Sequence, residues 1–221
     1  MARHRISNGT GPGAREPIRP PRLLVLACGA LASEILYSIR LNGWDHVSLA
    51  CLPARLHNTP DQIVPELEAR LRSDAARYDR VLIGYADCGT GGHLDALLEK
   101  WENVERLPGA HCYEFYATSP VFHDLHAAEL GTFYLTDFLT RHFDRLVWQF
   151  LGLDRYPQLR DMYFGNYRKL VYLAQFDRPE LRTKAEEAAR RLGLEYQHQP
   201  VGLGELATSL ETFVSWPAAL S

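Results

Sequence analysis

The chain has 221 residues, of which 46% are hydrophobic and 23% charged, and its formal net charge is −3. These values are ordinary for a soluble globular protein, and the length allows one large α/β domain or two small lobes. The weak negative charge argues against a nucleic-acid or membrane-surface partner. No stretch approaches the roughly 18 apolar residues of a membrane helix.

Residues 1–21 are rich in Gly, Pro and Arg and contain no apolar core, so they do not have the pattern of a secretory signal. We interpret them as a disordered tail, because prolines at 12, 17, 20 and 21 also forbid a regular amphipathic transit helix. This predicts a cytoplasmic protein. In that compartment the four cysteines are expected to be thiols or ligands rather than disulfides.

Residues 22–118 alternate between strand and helix patterns and are predicted to form a first α/β lobe. The expected strands are 22–28, 46–51, 80–85 and 104–107, and the expected helices are 30–41, about 59–78 and 91–101. Strand–helix alternation with nearly continuous apolar strands predicts a parallel sheet with helices on both faces.

The middle of the chain, residues 119–167, has a helical and strongly aromatic pattern, which predicts a helical insert. Its aromatic side chains could line a pocket for a flat cofactor, although aromatics at helical spacing more often form core. Strand–helix order then returns over 168–213, which is compatible with a second lobe. Residues 214–221 are expected to be a C-terminal tail.

Three cysteines follow apolar runs that are predicted to be strands. Cys28 and Cys88 are each followed by glycine, and Cys112 lies just after the fourth run. Ligands and chemistry collect at the carboxyl edge of a parallel sheet, so three thiols there would suit zinc or an iron–sulfur cluster. The alternative is that they are buried as small hydrophobic residues, which is the interpretation we give to Cys51. No Cys-x-x-Cys spacing is present, so the fold would have to assemble the site.

Other polar residues near the same edge are candidates for supporting roles. Glu34 and His111 are candidates for proton transfer, and Arg55 and His57 for contacts with an anionic ligand. Each has a simpler explanation: a glutamate near the start of a helix, a neighbour of Cys112 that points to the other face, or a polar loop.

A glycine-rich turn, Asp87-Cys88-Gly89-Thr90-Gly91-Gly92, follows the third predicted strand. It is similar to the loop of S-adenosylmethionine-dependent methyltransferases, in which Asp87, Gly89 and Gly91 would contact the cofactor. However, Tyr85 stands in the acidic position and Asp87 replaces the first glycine. Glycine-rich loops alone are weak evidence, and the turn could simply require backbone freedom.

Four segments resemble the uncharacterised family catalogued as domain of unknown function 1638. They are Ala27–Glu34, Gly84–Gly92, His111–Phe115 and Gly165–Tyr172, and with the sequence between them they span roughly residues 22–213. Members of that family are often encoded near corrinoid-dependent methyltransferase systems, so the resemblance implies a role in one-carbon metabolism.

Three hypotheses follow. The first is a metal- or iron–sulfur-binding protein that serves a corrinoid protein or methyltransferase. The second is an S-adenosylmethionine-dependent methyltransferase. The third is a non-catalytic partner of a methyltransferase complex whose cysteines are merely buried.

Overall fold

The computed structural model describes residues 20–215, so the expected terminal tails lie almost entirely outside the described residues. The fold is α/β, with two parallel sheets flanked by helices. The first sheet has the order β2-β1-β3-β4. Its strands are β1 (Leu23–Cys28), β2 (Val47–Leu52), β3 (Arg80–Gly84) and β4 (Val104–Arg106).

The central strand β1 is buried at all six positions, as expected for a strand that helices cover on both faces. Its neighbour β3 ends at Gly84, where a Cβ atom would lie only 2.5 Å from the Ala27 Cβ atom. Glycine therefore lets the two strands approach closely at their carboxyl ends, next to Cys28 and Tyr85.

Helices α1 (Ala32–Asn42), α2 (Ile63–Asp74) and α3 (His93–Leu98) connect these strands. The helix α2 buries Ile63, Leu67 and Leu71, which are four residues apart and so share one face. Two further helices, α4 (Cys112–Ala117) and α5 (Ser119–Ala128), follow β4. We call the four-stranded sheet with α1–α5 the first lobe.

The second sheet has the order β5-β6-β7 and is also parallel. Its strands are β5 (Thr132–Leu135), β6 (Lys169–Ala174) and β7 (Glu195–Pro200). The helices around it are α6 (Asp137–Arg141), a π-helix (Asp144–Trp148), α7 (Leu159–Phe164) and α8 (Pro179–Leu192). We call this unit the second lobe.

The insert over 119–167 was predicted to be mostly helical, and the structure adds one strand to it, β5, at residues 132–135. Thr132, Phe133 and Tyr134 are β-branched or aromatic, and such residues favour strands. A run of four residues is too short for its period to distinguish a strand from a buried helix. Pairing with β6 decides the outcome.

The chain then returns to the first lobe. Helix α9 (Gly204–Ser215) buries Leu206, Leu210 and Phe213 in the core of the first sheet. Gly204 allows this, because a Cβ atom there would lie 2.2 Å from the Tyr116 carbonyl oxygen. None of the helices within residues 20–215 has both the length and the apolar character needed to cross a membrane.

Candidate functional site

A cavity of about 370 Å³ lies between the lobes, at the carboxyl ends of β1, β3 and β5. Its wall in the first lobe includes Cys28, His57, Tyr85, Cys88, His111 and Cys112. Its wall in the second lobe includes Thr132, Phe133, Tyr134, Phe138 and Tyr167. Sites in open α/β folds are expected at this edge.

All three candidate thiols lie in the wall of this cavity. Cys28 is the last residue of β1, Cys88 follows β3, and Cys112 is the first residue of α4. Cys28 is buried and the other two are half-buried. Within the part of the chain that the structure describes, no three His, Cys, Asp or Glu side chains are grouped so that they could hold a metal ion.

Cys51 lies outside the cavity lining, but our expectation that it is buried was wrong: it is exposed. The physical reason is that β2 is an edge strand of the first sheet, and its middle positions are only partly covered.

Cys88 has an unusual backbone conformation, with φ at 50°. Non-glycine residues rarely adopt this left-handed region, which costs of order 1 kcal/mol or more and often occurs at functional sites. Two hydrogen bonds hold the segment in place: the amide of Asp87 donates to the Gly109 carbonyl at 3.2 Å and that of Cys88 to the Ala110 carbonyl at 2.8 Å. The loop therefore fixes Cys88 against the segment that leads to Cys112.

The Asp87 carboxylate is used within its own loop. It accepts hydrogen bonds from the Thr90 hydroxyl at 2.7 Å and from the amides of Gly91 and Gly92 at 3.1 and 2.9 Å. The Gly92 amide is the main cause that lowers the pKa of Asp87. Of the three loop residues proposed to contact a cofactor, only Gly89 lines the cavity. The structure gives Asp87 the role of holding the loop.

Burial raises the pKa of all three cavity thiols, to about 11 for Cys88 and well above its ordinary value for Cys112. Nearby donors oppose this rise. The Ala30 amide and the Tyr85 hydroxyl act on Cys28, and the amides of Ala86 and Cys112 act on Cys88. The thiols are therefore protonated at neutral pH, and a bound cation would be needed to hold them as thiolates.

His111 and Cys112 are both in the cavity wall, although neighbours on an extended strand would point to opposite faces. The chain bends between them, because His111 is extended and α4 begins at Cys112. His57 also lines the cavity, and its Nε2 lies 3.5 Å from the Tyr113 hydroxyl. Desolvation, aided by His111, lowers the pKa of His57. Arg55 is not part of the lining.

Glu34 is not an ordinary solvated glutamate: it is only 2% exposed and its Oε2 atom has no hydrogen-bond partner. Burial raises its pKa to about 7, and the nearby Asp137 adds to this rise. Glu34 lies outside the cavity lining, but it is close enough to Tyr116 in the wall to raise the pKa of that tyrosine.

Sequence analysis did not assign a binding role to Tyr85 or Tyr134 individually, and both lie in the cavity wall, Tyr85 in the first lobe and Tyr134 in the second. They are 3% and 7% exposed, and the hydroxyl group of each lacks a partner with the geometry of an ordinary hydrogen bond. The only signal for Tyr85 was its place directly after a buried strand. The signal for Tyr134 was its membership of the aromatic stretch that could line a pocket, and nothing distinguished it from the other aromatic residues there.

The cavity wall carries no fixed charge. Among its described residues none is Lys, Arg, Asp or Glu, so their ionisable groups are thiols, phenols and imidazoles. Such a wall offers no permanently charged counterion to a phosphate or carboxylate, and it favours a soft cation or an uncharged ligand.

Comparison with known proteins places the chain in a family without revealing an activity. No curated protein and no solved structure matches it. The family described as "Protein of unknown function (DUF1638)" matches residues 51–210, which include Cys88, Cys112 and all of the second sheet. The chain therefore belongs to the DUF1638 family.

Proposed function

We propose that the protein binds a thiolate-ligated metal centre through Cys28, Cys88 and Cys112. The observation that carries the proposal is that three thiols distant in sequence line one cavity without fixed charge. Amide groups near each sulfur lower its pKa, as donors to metal-bound thiolates do.

An iron–sulfur cluster fits this proposal better than a single zinc ion. A single ion needs every sulfur about 2.3 Å away, and the thiols are not grouped in that way. In a four-iron cluster each thiolate binds a different iron, so the sulfurs surround a larger object. Three protein thiolates would leave one iron of a four-iron cluster open to another ligand.

The proposed setting is cytoplasmic corrinoid-dependent methyl transfer, with a corrinoid protein or a methyltransferase as partner. There a reduced cluster would give one electron to the cobalt of an oxidised corrinoid and would itself become oxidised by one electron. An external electron donor would then have to restore it. His111, which lies in the cavity wall, is the proposed proton carrier beside the centre.

Anaerobic reconstitution with ferrous iron and sulfide tests the proposal. Wild-type protein should gain stoichiometric iron and a visible sulfur-to-iron absorption band, and Cys28→Ala, Cys88→Ala and Cys112→Ala should each reduce both. Cys51→Ala is the matched control, because this thiol lies outside the cavity lining. Wild-type protein that takes up neither iron nor zinc, or equal loss in the Cys51 variant, would refute the assignment.

S-adenosylmethionine binding is the less supported alternative. The amides of Gly91 and Gly92 already donate to Asp87, and Tyr85 in the usual acidic position is buried. A non-catalytic partner role would gain support if reconstitution fails while the protein still binds a methyltransferase.

A further inference from the structure

We propose that the cavity also binds a flat conjugated ring that carries carbonyl oxygens, such as a flavin ring or a quinone, between Tyr85 of the first lobe and Tyr134 of the second. This inference does not depend on the metal centre. It rests on the hydroxyls, the aromatic wall and the charge of the cavity.

The hydroxyls of Tyr85 and Tyr134 are available to a ligand in the cavity. Both side chains are more than nine-tenths buried and both line the cavity. The Tyr85 hydroxyl lies near the Cys28 thiol and the Tyr134 hydroxyl near Thr132, but neither contact has the geometry of an ordinary hydrogen bond. Buried polar groups are nearly always paired in folded proteins, because an unpaired one costs about 1–3 kcal/mol. A ligand with an acceptor for each hydroxyl would pair both, and the two hydroxyls would donate to it from opposite lobes.

The aromatic wall of the cavity favours a flat ligand. Phe133, Phe138 and Tyr167 join Tyr134 in the second-lobe wall. Tyr134 stacks on Tyr113 with ring centroids 5.5 Å apart and planes 29° apart. Flat aromatic side chains pack well against flat rings, either offset or edge to face. The volume of about 370 Å³ is within the range of small-molecule sites.

The charge of the cavity lining restricts the ligand further. The lining contains no Lys or Arg, so a phosphate or carboxylate inside the cavity would have no permanently charged cationic partner, and its ionisable nitrogen groups are the imidazoles of His57 and His111. Uncharged carbonyl oxygens, by contrast, accept hydrogen bonds from phenols. The ligand part that enters the cavity is therefore an uncharged ring.

Lumiflavin, the flavin ring without its phosphate chain, is a suitable probe for titration against metal-free protein. Its fluorescence should be quenched in a saturable manner, and flavin mononucleotide should bind more weakly because of its phosphate. Tyr85→Phe and Tyr134→Phe should each weaken lumiflavin binding by about 10-fold, which corresponds to one hydrogen bond. Tyr163→Phe is the matched control, because Tyr163 is exposed and outside the lining.

Duroquinone serves as the second probe. Displacement of lumiflavin by duroquinone would support a shared site for ring carbonyls, whereas binding of lumiflavin alone would restrict the ligand class to the flavin ring. The inference is overturned if wild-type protein binds neither probe or if both Phe variants bind like wild type. Circular dichroism of each variant checks its folding. Failure of metal reconstitution would leave these results unaffected, so the two proposals can fail separately.

Discussion

Glu34 and Asp137 belong to different lobes and lie close enough for the charge of Asp137 to raise the pKa of Glu34. Their surroundings differ. Asp137 accepts hydrogen bonds from the Tyr172 hydroxyl at 2.7 Å and from the amides of Gln175 and Phe176 at 3.0 and 3.1 Å, whereas Oε2 of Glu34 has no partner. The pair therefore has one carboxylate that the fold stabilises and one that it penalises.

Replacing Glu34 with Gln should make stability less dependent on pH. The pKa of Glu34 is raised from 4.5 to about 7 in the folded protein. Between those values the folded state binds more protons than the unfolded state, so the stabilisation is full below pH 4.5 and is lost as pH rises through 7. The loss is about 3.5 kcal/mol at most, since one pKa unit corresponds to about 1.4 kcal/mol.

Urea unfolding of both proteins from pH 5 to 8 measures this effect. The difference in the free energy of unfolding, Glu34→Gln minus wild type, should grow in favour of the variant as pH rises. Parallel curves would show that Glu34 does not titrate in this range.

Metal binding should release protons. Burial raises the pKa of Cys28, Cys88 and Cys112, so each is protonated at neutral pH before it binds metal as a thiolate. Anaerobic titration with Zn²⁺ in weak buffer with a pH indicator should show acidification, and Cys88→Ala should release fewer protons than wild type. Metal should also dissociate as pH falls. Proton release that is equal in wild type and Cys88→Ala would contradict this.

Replacing Asp87 with Ala should disturb the site without removing a ligand. The change removes three hydrogen bonds that hold the 87–92 loop, which should cost about 1–3 kcal/mol. Cys88 should then react faster with a thiol reagent, and metal affinity should fall. Asp154→Ala is the control, because it removes an exposed aspartate outside this loop. Unchanged thiol reactivity in Asp87→Ala would show that the loop does not depend on the carboxylate.

Asn58→Ala should speed ligand exchange. The Asn58 side-chain amide of the first lobe donates to the Leu146 carbonyl of the second lobe at 2.9 Å. Its loss should cost about 1 kcal/mol of stability and let the lobes separate more often. Release is measured by stopped flow, with a chelator to trap the metal or excess wild-type protein to trap the lumiflavin. It should be several-fold faster in the variant. A release rate equal to that of wild type would mean that the cavity exchanges without separation of the lobes.

The sequence predicted the first sheet well, because β1 and β3 are continuous apolar runs that end in Cys or Gly. It also identified the three thiols of the cavity, since strand ends of a parallel sheet meet at one edge. It did not predict β5 or α4, which depend on pairing and packing across long separations. Asp137 therefore remained unnoticed, Tyr134 was considered only as one of many aromatic residues of the insert, and the burial of Glu34 could not be inferred from a helical pattern alone.

The return of α9 to the first lobe has a consequence for synthesis on the ribosome. Leu206, Leu210 and Phe213 complete a core whose other members mostly precede residue 120. The first sheet therefore emerges with an apolar surface that stays uncovered until about 80 further residues have been translated. A nascent chain halted near residue 130 should accordingly bind holdase chaperones, and a synthetic α9 peptide supplied in trans should displace them.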